Sequence, residues 1–160
     1  MFSIIQRKHL FFIFIIIALF IITIEIISIN MNIAWRNVLT GSSITLYMTP
    51  YCECCVKYKD YLSSLGAKVE VATVEDVDKL MEKLGVPSKL WSCHLATIDG
   101  YIIVGHVPAE AIKKLLDERP DIKGISLPDM PSGSPGMPGI KEKPFIIYSF
   151  DETIEIFVII

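Results

Sequence analysis

The 160-residue chain is 52% hydrophobic and sets 15 basic against 18 acidic residues, a formal net charge of −3 at pH 7. So slight a balance, with no basic run anywhere, excludes a nucleic acid as partner. The apolar excess is concentrated at the N-terminus, where Arg7, Lys8 and His9 precede a stretch from Leu10 to Ile29 broken by Glu25 and a few small or polar residues. A basic flank before such a run marks an export signal or a single membrane anchor. The uninterrupted part, Leu10 to Ile24, is shorter than the roughly 20 residues of a full span, and Ile33-Ala34-Trp35 is a poor cleavage site. Two readings stay open for residues 1–31: a retained signal anchor in the cytoplasmic membrane, or a signal peptide that is removed to leave a soluble exported protein. Both place residues 32–160 outside the cytoplasm, in a periplasmic setting.

Residues 32–42 read as a polar tether, and 43–160 as one domain with one core. Ile44 to Met48 is rich in strand formers. Tyr58, Tyr61, Leu62 and Leu65 recur at helical spacing and stop at Gly66, a natural terminator. Lys68 to Val74 alternates like a strand, and Val77, Leu80, Met81 and Leu84 mark a helix ending at Gly85. Two short strands, Leu95 to Ile98 and Tyr101 to Val104, flank Asp99-Gly100, a dipeptide suited to a tight type I′ hairpin. A further helix begins near Pro108 and buries Ile112, Leu115 and Leu116 before Pro120. Gly124 to Gly139, rich in Pro and Gly, is expected to be an irregular loop, and Phe145 to Phe150 with Thr153 to Val158 a terminal hairpin. The order β-α-β-α-β-β-α is that of a thioredoxin-like α/β domain, here between an N-terminal membrane-anchor helix and a C-terminal hairpin.

Three of the four cysteines, Cys52, Cys54 and Cys55, fall within four residues, and the fourth lies in Ser92-Cys93-His94. In a thioredoxin-like topology these segments and Gly105-His106-Val107-Pro108 meet at one edge of the sheet. Sulfur atoms of Cys55 and Cys93 more than about 10 Å apart would exclude a shared site, since direct ligands lie near 2.3 Å from a metal. The C-x-x-C spacing of Cys52 and Cys55 at a helix N-terminus serves redox exchange and metal binding equally well. Cys54 adds a third thiol. Neighbouring helical side chains diverge by about 100°, so Cys54 and Cys55 close poorly on one ion unless a sulfur bridges two. Sulfur in excess favours a soft ion, Cu(I) before zinc, with Cys52, Cys54, Cys55 and Cys93 as ligands. His94, His106, Met130 and Met137 are further candidates, as ligands or as supporting groups. The competing reading is a thiol-disulfide oxidoreductase using Cys52 and Cys55. Such enzymes usually place a proline just before the third strand; here Pro87 is too early and Cys93 stands near that place. Nothing suggests a hydrolytic arrangement of nucleophile, base and oxyanion donors.

Five motifs occur in order: Thr49-Pro50-Tyr51-Cys52-Glu53-Cys54-Cys55, Gly85-Val86-Pro87, Ser92-Cys93-His94, Gly105-His106-Val107-Pro108-Ala109 and Met130-Pro131-Ser132-Gly133-Ser134-Pro135-Gly136-Met137. From about Ser43 to Phe150 the chain resembles the CopG-like family of exported metal-binding proteins. The resemblance implies a thioredoxin-like fold and a part in copper resistance or handling. Glu53 stands where that family usually has glycine, and Leu95 where it has threonine; neither change removes a candidate ligand. The combined expectation is an exported protein, a metal binder rather than an enzyme, that holds more than one Cu(I) in a thiolate-bridged site. It would sequester the metal or transfer it to another copper-handling protein.

Overall fold

A computed structural model describes residues 2–160, with the side chains of 2–8, 10 and 34–36 outside that description. The basic flank Arg7-Lys8 and the weak cleavage candidate's Ala34 and Trp35 fall among those side chains. The chain divides into two units, Met1–Arg36 and Asn37–Ile160.

The first unit is a single helix, α1 (Phe2–Arg36). Within it Phe11–Ile33, 23 residues, is long and apolar enough to cross a membrane. This span is longer than the run ending at Ile24, because Glu25 interrupts the apolar composition without interrupting helical geometry. The segment expected as a tether is helical as far as Arg36, and Leu39, just beyond, is buried in the core of the second unit.

The second unit contains β1 (Ser43–Met48), α2 (Glu53–Ser64), β2 (Lys68–Thr73), α3 (Val77–Lys83), β3 (His94–Ile98), β4 (Tyr101–Gly105), α4 (Ala109–Glu118), β5 (Gly124–Leu127), β6 (Ile146–Phe150) and β7 (Ile154–Ile159). Among the described residues the strands form one sheet in the order β2-β1-β3-β4-β5-β6-β7. β1 runs parallel to β2 and antiparallel to β3, β3 pairs antiparallel with β4, and β4 pairs parallel with β5. The thioredoxin-like α/β order is therefore present, extended by β5 and the terminal hairpin.

Strand alternation distributes the core to both faces of the sheet. Ile44, Leu46 and Met48 of β1 and Ile103 of β4 pack with Tyr58 and Leu62 of α2 and Ile112 and Leu115 of α4. Leu95 of β3 with Ile102 and Val104 of β4 packs on the other face with Val77 and Met81 of α3. Local signals agree with these elements. The Asp76 carboxylate caps α3 by accepting from the Lys79 amide at 3.0 Å. Asp99 and Gly100 both have positive φ, 48° and 90°, as a type I′ turn requires. The Ala109 amide, an orphan donor of the first turn of α4, donates to the Tyr61 hydroxyl at 2.8 Å.

One expectation is corrected. Gly124–Leu127 is not loop but the buried strand β5, paired in register with Ile102–Gly105. The Pro and Gly richness belongs to the residues after Leu127, and averaging over the whole segment hid a short apolar strand at its head. Gly124 is needed there, because a methyl group on it would collide with the Ile102 carbonyl oxygen. Gly124→Ala is thus expected to cost about 1–3 kcal/mol through overpacking. Urea unfolding measures this, and an unchanged midpoint would mean that β4 and β5 separate easily.

Candidate metal centre

The edge of the sheet at the end of β1 and the start of β3 collects all four cysteines. Cys52 immediately precedes α2 without a side-chain capping bond, Cys54 and Cys55 lie in its first turn, and Cys93 immediately precedes β3. Cys55 is fully buried, whereas Cys52, Cys54 and Cys93 are half-buried. The four sulfur atoms lie within 4.8 Å of one another. The Cys54 sulfur is 3.5 Å from that of Cys52 and 3.6 Å from that of Cys93, and Cys55 and Cys93 are 3.7 Å apart. This is far inside the limit for a shared site. Cys93 also resolves the divergence of Cys54 and Cys55, because it reaches both from the opposite side.

Cys52 and Cys55 form a disulfide, with Cα atoms 5.3 Å apart, and Cys54 and Cys93 are free thiols. In this form two of the sulfurs offer no thiolate. A set of four thiolates belongs to the reduced protein.

Two imidazoles lie behind the sulfurs. His94 Nδ1 and His106 Nε2 are each 3.3 Å from the Cys93 sulfur, and both residues are fully buried. His106 Nδ1 is 2.7 Å from the Pro135 carbonyl oxygen, and His94 has the Gly105 backbone as its neighbour. The rings pack on Tyr58, with centroids 4.7 Å away for His94 and 5.3 Å for His106. The Tyr58 hydroxyl donates to the Val107 carbonyl at 2.8 Å, which fixes this floor. Burial holds the Tyr58 hydroxyl well above its ordinary range. Burial, followed by the neighbouring Cys54, pushes the Cys93 thiol up to about 12. Burial, followed by His106, lowers His94 to about 3 against an opposing bond to the Gly105 backbone, and burial also lowers His106 against the opposing bond to Pro135. Without a metal, burial therefore disfavours charge on Cys93, His94 and His106, and the sulfur and imidazole groups form a donor set suited to a soft cation.

The Pro/Gly-rich loop supplies one wall. Gly136, at φ +83°, lies so close to α2 that a Cβ would be 2.8 Å from the Tyr58 amide nitrogen and 3.1 Å from the Cys54 carbonyl oxygen. Met137 follows it and is half-buried; Met130 is exposed, at a φ of 45°.

Two family models match along this chain: "Glutaredoxin" over residues 44–88 and "Protein of unknown function, DUF411" over 90–137. A solved structure of copper resistance protein CopG, form 2, is 33% identical, with a TM-score of 0.69 over 74% of this chain and 98% of that one. Form 1 of the same protein gives 33% identity and a TM-score of 0.67 over 74% and 96%. The chain belongs to the CopG family. An uncharacterized glutaredoxin-like 8.6 kDa protein in the rubredoxin operon of Clostridium pasteurianum is 39% identical over 75 residues, 47% of this chain and 99% of that protein. The glutaredoxin likeness covers β1 to α3, and the remainder of the CopG-like unit adds Cys93, both histidines and the loop.

Sequence reasoning missed Tyr58, Pro135 and Gly136 as parts of the site. Tyr58 was visible only as one apolar position of α2. Pro135 acts through its carbonyl, which carries no side-chain signature, and Gly136 through the closeness of its backbone. The lowered His94 value has a measurable consequence in the reduced, metal-free chain. As pH falls below about 6.5 the unfolded state takes up a proton that folded His94 refuses, so stability is complete above that pH and declines toward pH 3. Between about pH 7 and pH 5 His94 should account for a loss of ~2 kcal/mol. Urea unfolding at the two pH values checks this, and equal stabilities would show that His94 is solvated.

Proposed function

We propose that the Asn37–Ile160 unit binds Cu(I) outside the cytoplasmic membrane and sequesters it or hands it to another copper-handling protein, contributing to copper resistance. The observation that carries this reading is the gathering of four cysteine sulfurs, from two segments distant in sequence, within 4.8 Å of one another. Structural cysteines have no reason to crowd in this way, whereas two- or three-coordinate Cu(I) is satisfied by such thiolates. The copper-resistance role of its CopG relatives supports copper as the ion.

The ligands in this proposal are Cys52, Cys54, Cys55 and Cys93, in the reduced state. Four thiolates exceed the needs of a single Cu(I), and each can donate electron pairs to two metals, so the site holds a small bridged cluster. Zinc would require only one tetrahedron. His94 and His106 stand close enough to Cys93 to join or support the cluster, and Met137 lies on the loop that covers it. Helix α1 anchors the unit to the membrane, with the orientation set by Arg7 and Lys8.

A second reading has its own support. The Cys52–Cys55 disulfide and the glutaredoxin match over 44–88 favour a thiol-disulfide oxidoreductase, in which a partner thiolate attacks one sulfur and the other leaves as a thiolate. Anaerobic titration of the reduced chain separates the two. Copper handling predicts tight uptake of more than one Cu(I) per chain, with a lower stoichiometry in Cys54→Ser. Saturation at one ion, unaffected by Cys54→Ser, contradicts the cluster. Weak uptake together with rapid disulfide exchange on protein substrates would establish the redox reading instead.

A further inference from the structure

Helix α1 holds a group that anchoring alone does not use: an acidic side chain deep in its apolar span. Glu25 lies eight residues before the end of Phe11–Ile33, which at 1.5 Å per residue puts it ~12 Å inside the nearer boundary. An ionisable group at that depth is costly in hydrocarbon and is found facing protein or water rather than lipid. The polar and small residues near it share its side of the helix. Ala18, Glu25 and Asn32 follow one another at intervals of seven residues, so they line one face with a drift of about 20° per step. Ser28, three residues after Glu25, lies about 60° to one side of that line. All four are exposed on the helix. Thr23, on the opposite side, needs no partner, because its hydroxyl donates to the Phe20 carbonyl of its own helix at 2.7 Å. Asn30 also lies off the line, but within one turn of Ile33 and so of the interface. Glu25 and Ser28 are thus the polar groups that the interior of a bilayer would leave without a partner.

We infer that α1 pairs in parallel with α1 of a second copy of this chain through the face of Ala18, Glu25 and Ser28, with the two Glu25 carboxyl groups hydrogen-bonded to each other. This rests on the membrane-anchor part of the reading above. Copies inserted by the same signal share one orientation, so a two-fold axis along the membrane normal sets equal residues opposite one another at equal depth. The chemistry of these residues suits that symmetry. A carboxyl group in its acid form has one O–H donor and a carbonyl acceptor, so two of them close a ring in which each O–H donates to the other's carbonyl oxygen. The Ser28 hydroxyl is likewise donor and acceptor at once. Ala18, being small, lets the two backbones approach closely, as helix pairs in membranes require. A different partner would need its own polar group at this depth, whereas a second copy supplies one by symmetry. The seven-residue spacing keeps the face aligned along a left-handed crossing. Each assembly then carries two copies of the Asn37–Ile160 unit.

The test uses the full-length chain in the membranes of cells that express it, with the photo-cross-linking residue p-benzoylphenylalanine in place of Ile29 or of Ile27. Ile29 lies about 40° from Glu25 and Ile27 about 160° from it, at nearly the same depth. Illumination should give a species of twice the chain mass from position 29 and little from position 27. In the position-29 background, Glu25→Leu should lower that yield about fivefold, as loss of an interhelical hydrogen bond does. Glu25→Gln, whose amide both donates and accepts, should keep it. Leucine and glutamine are both good helix formers, so each variant retains the span. Equal yields from the two positions, or a yield at position 29 indifferent to Glu25→Leu, overturns the pairing, and so does a cross-link to a protein of another mass. The mass of the unaltered chain separates this failure from that of the anchor. A chain shortened at its N-terminus would end the anchor and the pairing with it, whereas a full-length, membrane-bound chain that gives no dimer ends the pairing and leaves the anchor standing.

Discussion

The antiparallel pairing of β1 with β3 is the constraint on which the site depends. Its register sets Met48, the last residue of β1, opposite His94, the first of β3, so the loop entering α2 and the residue before β3 leave the sheet at one edge. β4 continues the arrangement by pairing Val104 with Leu95, which brings Gly105 and His106 to the same edge. Because side chains alternate along a strand, a slip of one residue would turn His94 to the opposite face of the sheet. The apolar core prevents that slip. Leu95 packs with α3 while Ala96 and Ile98 pack with α2 and α4, so any other register would expose one set.

That edge brings chemistry into an environment that resists charge. The same burial that raises the Cys93 thiol to about 12 and lowers His94 to about 3 keeps these two groups neutral over a wide range of pH. A cation reverses the preference, because its attraction for a thiolate outweighs the cost of removing the proton, and metal binding then releases protons. The disulfide satisfies Cys52 and Cys55 in another way, by joining the sulfurs to each other. In the proposed copper-binding role, disulfide and metal would compete for the same atoms, and loading through all four sulfurs would begin with reduction. The glutaredoxin match spans residues 44–88, which include the C-x-x-C at the start of α2. The partner sulfur Cys93 and the loop wall are additions from the later part of the chain.

Much of this is legible in the residues. Helical spacing in 58–65, the Asp99-Gly100 turn and the strand alternation report local physics, and the thioredoxin-like topology that the element order suggests makes Cys93 a neighbour of Cys55. What escapes the sequence is set by backbone groups and by tertiary contact. Gly124–Leu127 is hidden in a Pro/Gly-rich segment, although its place beside β4 is determined by how closely Gly124 approaches Ile102. The Pro135 carbonyl carries no residue code for its role, and the burial of His94 beside Tyr58 becomes evident only when the surrounding atoms are known. Helical geometry points Cys54 away from Cys55, which holds along the helix but leaves out a third sulfur arriving from another strand.

X-ray absorption at the copper edge of the reduced, Cu(I)-loaded full-length chain tests most directly whether both cysteine segments hold the metal. The unaltered protein should show a first shell dominated by sulfur, with a copper-copper vector from bridging thiolates, and Cys93→Ser should lose part of that sulfur shell. A shell of nitrogen and oxygen alone, or a sulfur shell unchanged by Cys93→Ser, would contradict a copper site built across the β1–β3 edge.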